Sequence, residues 1–200
     1  MKPILKGNWR SSKDAMDASM AETLEWLAAM LSVDVTEIED QGEYLLVRGS
    51  KVDNHGRWVI SEKGEDAFKR YWDQLAVRKQ RRLFPTTEDK IAARKRDLYF
   101  YRWVDNKTGR LVMATLIDLR LFRKHMATMR KCYCVNKPTQ YGAFNSSFDA
   151  YFMEEAADRG CVMQVRYAPD APVSKWKRKQ LENRIEKNRA PAFRGRKKRP

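Results

Sequence analysis

Along this chain the apolar positions change their spacing several times, and each change marks an element. Met16, Met20, Leu24, Leu27 and Leu31 recur at helical spacing, with Ser12 placed to cap the helix they define. Val33 to Gln41 is acidic, and Ser32 or Thr36 is placed to open a short second helix. Glu43–Arg48 and Arg57–Ser61 read as the strands of a hairpin whose polar tip runs from Gly49 to Gly56. From Glu62 the period becomes 3.6, with Phe68, Tyr71, Trp72 and Leu75 on one helical face. Phe84-Pro85 stops that helix, since proline donates no hydrogen bond and disfavours helix in the residue before it.

Beyond Pro85 a basic helix runs from Thr86 or Thr87 to about Arg96. A second hairpin follows, Leu98–Val104 and Arg110–Ile117, around a turn in which Gly109 suits the left-handed position. Alternation puts Tyr99, Tyr101 and Trp103 on one face of the first strand and Leu98, Phe100 and Arg102 on the other. Such an aromatic row either covers a core, the commoner arrangement, or stacks bases. Asp118 is placed to cap a helix carrying Leu119, Phe122, Met126 and Met129. Tyr133 to Asn145 reads as a loop, and Ser146 or Ser147 as the start of a helix that Gly160 ends. Cys161–Tyr167 alternates like a strand, Ala168–Pro172 is a linker, and Lys175–Arg189 forms a basic helix with Leu181 and Ile185 on one side. The expected fold class is α+β: two small helix-plus-hairpin units, 1–84 and 85–170, packed together. A basic tail, 171–200, follows them, helical at first and then disordered until it meets phosphate.

Composition narrows the function classes. The apolar fraction of 42%, with six Trp, eight Tyr and eight Phe, supplies a core. No apolar run reaches the ~18 residues that a membrane span needs, and residues 1–6 lack the apolar region of a signal peptide. Three cysteines, an odd number in a chain of 200 residues, argue for reduced cytosol rather than a disulfide framework. The expected location is therefore the cytoplasm, a host's if the protein is viral.

Charge changes the picture most. The net charge is +15, and residues 171–200 hold twelve Lys or Arg against two acids. A concentration of this kind seeks polyanions, because each cation set on a phosphate releases condensed counterions. The candidate contacts there are Lys175, Lys177, Arg178, Lys179, Arg194, Arg196, Lys197, Lys198 and Arg199. A second cluster flanks Pro85: Arg78, Lys79, Arg81, Arg82, Lys90, Arg94, Lys95 and Arg96. Cations four apart on a helix, as at Arg78/Arg82, repel unless an anion lies between them. Arg102, Lys107 and Arg110 add a third group on the second hairpin. Lys197-Lys198-Arg199 also resembles a nuclear localisation signal.

Two stretches resemble known DNA-binding families. Arg57–Ser61 passing through Ser61-Glu62-Lys63-Gly64 into a helix resembles the wing of winged helix-turn-helix proteins, which implies a wing tip at about 50–58. The likeness reaches loosely over residues 43–75, but the acidic segment Asp34–Glu43 departs from a groove-reading helix. Tyr99–Arg110, followed by a strand and a helix, resembles the arm-binding sheet domains of phage integrases, over about 98–130. That likeness implies a small sheet lying in a DNA groove. No catalytic recombinase region follows it.

Catalytic and metal readings stand behind these. His125, Cys132, Cys134 and Cys161 are a legitimate zinc set, though the Cys-x-Cys spacing is poor and free Cys is commonly a buried hydrophobe. Glu88-Asp89-Lys90 has the Glu-x-Lys pattern of metal-dependent nucleases, yet acids are wanted at a helix start in any case. The sequence therefore predicts a non-catalytic nucleic-acid-binding protein, DNA favoured over RNA, with no cofactor and no membrane partner. A phage or mobile-element regulatory or DNA-processing accessory role suits the two likenesses. The alternatives are a protein docking on or inhibiting a host nucleic-acid machine, and a metal-dependent nuclease.

Overall fold

A computed structural model describes residues 17–59, 72–80, 87–93, 95–105, 108–135 and 147–188. The fold is α+β. Its elements in chain order are α1 (Met20–Leu31), β1 (Ile38–Asp40), β2 (Leu45–Val47), β3 (Ser50–Val59), β4 (Gln74–Gln80) and α2 (Thr87–Ala92). There follow β5 (Leu98–Asp105), β6 (Leu111–Asp118), α3 (Leu119–His125), β7 (Lys131–Val135), β8 (Ser147–Phe152), α4 (Met153–Asp158), β9 (Val162–Tyr167) and α5 (Lys175–Asn188). A six-stranded sheet has the order β1-β2-β3-β5-β6-β9, and a three-stranded sheet the order β4-β8-β7.

The hairpin β5–β6 forms the middle of the larger sheet, and its pleat divides the core as alternation requires. Leu98, Phe100 and Val104 join Trp26, Leu27 and Met30 of α1 on one face. Tyr99, Tyr101 and Trp103 pack on the other against Leu75 and Val77 of β4, Tyr151 of β8, Phe122 of α3 and the Leu181–Ile185 stripe of α5. The aromatic row thus covers a core and is not open to bases, since the three rings are at most 1% exposed. Asp118 caps α3 as expected, its carboxylate accepting from Arg120 N (2.8 Å) and Leu121 N (3.0 Å). Gly109 and Gly160 both take a φ of +70°. At Gly160 a Cβ would lie 2.9 Å from Asn188 O, so the close approach of α4's end to α5's end needs glycine there.

Several expected elements differ. Residues 49–56 are not a loop: Val47 pairs with Ser50, and Arg48 (φ +47°) with Gly49 (φ +80°) makes a two-residue turn. The Arg48 guanidinium donates to Glu37 through Nε (2.6 Å) and Nη2 (2.8 Å), tying that turn to the capped 3-10 turn Val35–Glu37. The expected wing tip at 50–58 is therefore strand β3, which pairs with β5 in parallel from Val52↔Leu98 to Val59↔Asp105. Residues 74–80 are strand rather than helix. Leu75 and Val77 alternate into the core, and β4 finds a partner in β8. Residues 133–135 and 147–152, expected as loop and helix, lie in strands β7 and β8, and helix begins only at Met153. The Ser61–Gly64 turn and the apolar face at Phe68 and Tyr71 lie outside the described residues. The larger sheet crosses the boundary expected at residue 84, because β3 lies against β5.

Candidate nucleic-acid interface

Helix α5 belongs to the folded body. Its basic sequence carries two aliphatic residues four apart, Leu181 and Ile185, and both are buried against the rest of the core. The Ala168–Ser174 connection is equally fixed, with Ala168, Ala171 and Val173 each at most 8% exposed. Arg178 collects the carbonyls of that connection, donating to Val173 O (3.0 Å), Ala168 O (3.4 Å) and Ala171 O. Its guanidinium also lies 5.1 Å above the Tyr167 ring. Arg184 pairs with Asp158 and with Glu154 (3.7 Å), fastening α5 to α4. Two of the helix's bases are thus spent on attachment, and Arg178 is corrected from a phosphate contact to an anchor.

The remaining bases of α5, Lys175, Lys177, Lys179 and Lys187, are exposed. Lys175 and Lys179, four apart, share one side of the helix and repel until an anion sits between them. Trp176 stands among them, 66% exposed. Ala168 N donates to Val112 O (2.9 Å), so the start of α5 and the exposed Arg110 lie at the same end of the larger sheet. Arg110 itself is 3.8 Å from Glu22. Arg194, Arg196, Lys197, Lys198 and Arg199 follow α5 in the chain and lie outside the described residues.

Of the second and third clusters, Arg96 and Arg102 are buried in the body. Arg102 is fully buried, with its guanidinium bonded to Asn54. Burial lowers its pKa to about 10, and it stays cationic at neutral pH without reaching any phosphate. Its place in strand β5 explains the correction, since position 102 points into the α1 side of the sheet together with Leu98 and Phe100. Arg96 is 5% exposed, sits 4.6 Å over the Tyr44 ring and pairs with Glu43 at 3.3 Å. It too is a packing residue. Lys95 is exposed, but at the opposite end of β5 from Arg110, roughly 25 Å away at ~3.3 Å per residue. Arg78 and Lys79 lie on strand β4 and Lys90 on α2, where the backbone alone is described. Arg81, Arg82, Arg94 and Lys107 lie outside the described residues.

Of the zinc set, the Cys134 side chain lies outside the described residues. Cys132 is exposed and Cys161 buried, and burial pushes the Cys161 thiol up to about 12, against the thiolate that zinc needs. Among the described residues no group of three or more His, Cys, Asp or Glu is arranged to hold a metal ion. Glu88 and Asp89 occupy the first turn of α2, where they complement the helix end. Among the described residues no helix is long and apolar enough to cross a membrane.

Sequence reasoning named the lysines of α5, and Asp73 only as a possible second carboxylate of a nuclease site, but gave no part to Trp176 or Arg184. An open cleft of about 130 Å³ lies between the start of β4, α4 and the first turns of α5, lined by Trp72, Asp73, Glu154, Trp176, Lys177 and Gln180 among others. The available signal was a Trp set between lysines and off the Leu181–Ile185 stripe. Comparison of the chain with protein-family models, characterised proteins and solved structures found no significant match.

Proposed function

We propose that this chain is a non-catalytic nucleic-acid-binding protein, with DNA favoured over RNA, that holds phosphates on the exposed lysines of α5 and on the basic residues after it. The observation that carries this reading is the segregation of charge. Residues 171–200 are +10, and two of their bases anchor α5 while four stand free of the core on its surface. Each such lysine is a counterion-releasing contact, and sequence-independent affinity scales with their number. A regulatory or DNA-processing accessory role, in the cytoplasm or a host's cytoplasm, fits a protein whose affinity is of this general kind.

The test is binding of labelled duplex DNA, single-stranded DNA and RNA across a salt series. Full-length protein carrying Lys175→Ala, Lys177→Ala and Lys179→Ala together is compared with the parent. The logarithmic salt slope should fall by about 3 and affinity should drop on every probe. An unchanged slope and affinity removes α5 from the interface. Strong capture of a nucleic-acid enzyme without affinity for bare nucleic acid replaces the reading by docking on such a machine. Cutting of the probes in Mg²⁺, lost on Glu88→Ala, replaces it by a nuclease.

A further inference from the structure

We propose that the cleft beside α5 is a docking site for an unpaired nucleobase, which stacks on Trp176 and presents a hydrogen-bond-donating edge to Asp73. This rests on the nucleic-acid-binding reading and adds to it a site, a ligand and a preference for single strands. Trp176 is one of two large apolar side chains left exposed among the described residues, the other being Val35. Most of its ring faces water beside Lys175, Lys177 and Lys179, which suits a π surface placed next to a phosphate track.

Trp72 and Asp73 form the inner wall. Trp72 is 6% exposed and packs edge-on to Tyr167, with centroids 6.3 Å apart and planes at 63°. Asp73 is fixed through its backbone carbonyl, which accepts from Met153 N at 2.7 Å. Burial raises the Asp73 carboxyl above its ordinary range, opposed by nearby Lys177 and reinforced by Glu154. An acceptor half-withdrawn from water is satisfied by amino and ring N–H groups on a base edge. Cytosine, guanine and adenine each present an amino group, and carboxylates take that of cytosine readily. Thymine offers one N–H between two carbonyl oxygens, which Asp73 and Glu154 repel. Lys177 and Arg184 in the same walls balance the two carboxylates, so the cleft carries no net negative charge to select a cation. Paired bases stay stacked within their helix, so a duplex meets the lysines alone.

The probes are an oligo-dC and an oligo-dT of ~15 nucleotides, an oligo-rC of equal length and a mixed-sequence duplex. The proteins are the full chain and its Trp176→Ala, Trp176→Phe and Asp73→Asn variants. Trp176→Ala should weaken oligo-dC about tenfold or more and leave the duplex within about twofold, while Trp176→Phe keeps most of the affinity. Asp73→Asn should erase the preference for oligo-dC over oligo-dT. Equal binding of oligo-rC assigns the site to single strands of either sugar. Loss of single-strand and duplex binding together on Trp176→Ala, or of neither, overturns the proposal while nucleic-acid binding stands. Absence of binding to every probe by the parent protein overturns both. The melting temperature of Trp176→Ala checks that the fold is intact.

Discussion

Arg96 and Arg102, in the stretch 96–102, and most of the six Lys and Arg in 175–188 are used by the fold in opposite ways. The first stretch runs through the middle of a sheet covered on both faces, so alternate side chains have no route to solvent. Arg102 is absorbed among Leu98, Phe100 and α1, and Arg96 is clamped by Tyr44 and Glu43. The second stretch is a helix on the outside of the molecule with a two-residue apolar stripe, and most of its circumference stays wet. Basic residues in a central strand thus become structural by geometry, whereas on a surface helix they stay available. Two arginines of α5 show the limit of that rule, because Arg178 and Arg184 face the body and were drafted as anchors.

The contrast breaks most readily at Arg102. Arg102→Ala should cost about 3 kcal/mol in denaturant unfolding, through the void it leaves and the partners it strands. The triple lysine variant of α5 should stay within about 0.5 kcal/mol of the parent. If the two variants unfold alike, the division into structural and surface cations is wrong.

Leu181→Ala should cost about 2 kcal/mol. Because Leu181 and Ile185 are the buried stripe of α5, the helix should also loosen, and amide exchange along 175–188 should rise more than in β5 or β6. Unchanged protection would mean that Arg178 and Arg184 hold the helix without the stripe. The smallest effect is expected at Arg110, exposed and 3.8 Å from Glu22. Arg110→Ala should change stability by less than about 0.5 kcal/mol and lower nucleic-acid affinity by no more than the share of one phosphate contact.

Much of the fold was legible because it is written in short-range pattern. The β5–β6 hairpin, the assignment of Tyr99, Tyr101 and Trp103 to one face, the Asp118 cap, the left-handed Gly109 and Gly160, β9 and α5 all follow from spacing within a dozen residues. The three-stranded sheet was not legible. Leu75 fits a helical stripe with Phe68, Tyr71 and Trp72 as well as an alternation with Val77, and β7 and β8 become strands by pairing with each other and, for β8, with the distant β4. The candidate interface was half legible. Composition picked out the lysines of α5, while the cleft joins residues a hundred positions apart, Asp73 and Trp176, and no local pattern carries that.

The sequence by itself determined that residues 171–200 concentrate the positive charge, and that Lys175–Asn188 is a helix with one narrow apolar stripe. Those are properties of composition and period, independent of what the helix packs against. Tertiary structure alone decided which cations remain outside. Packing of α1 on one face of β5 and of β4, β8, α3 and α5 on the other buries the middle of the larger sheet, and it sets Arg102 inside while α5 keeps an outer surface. Burial is a property of the partners an element meets, and those partners lie far away along the chain.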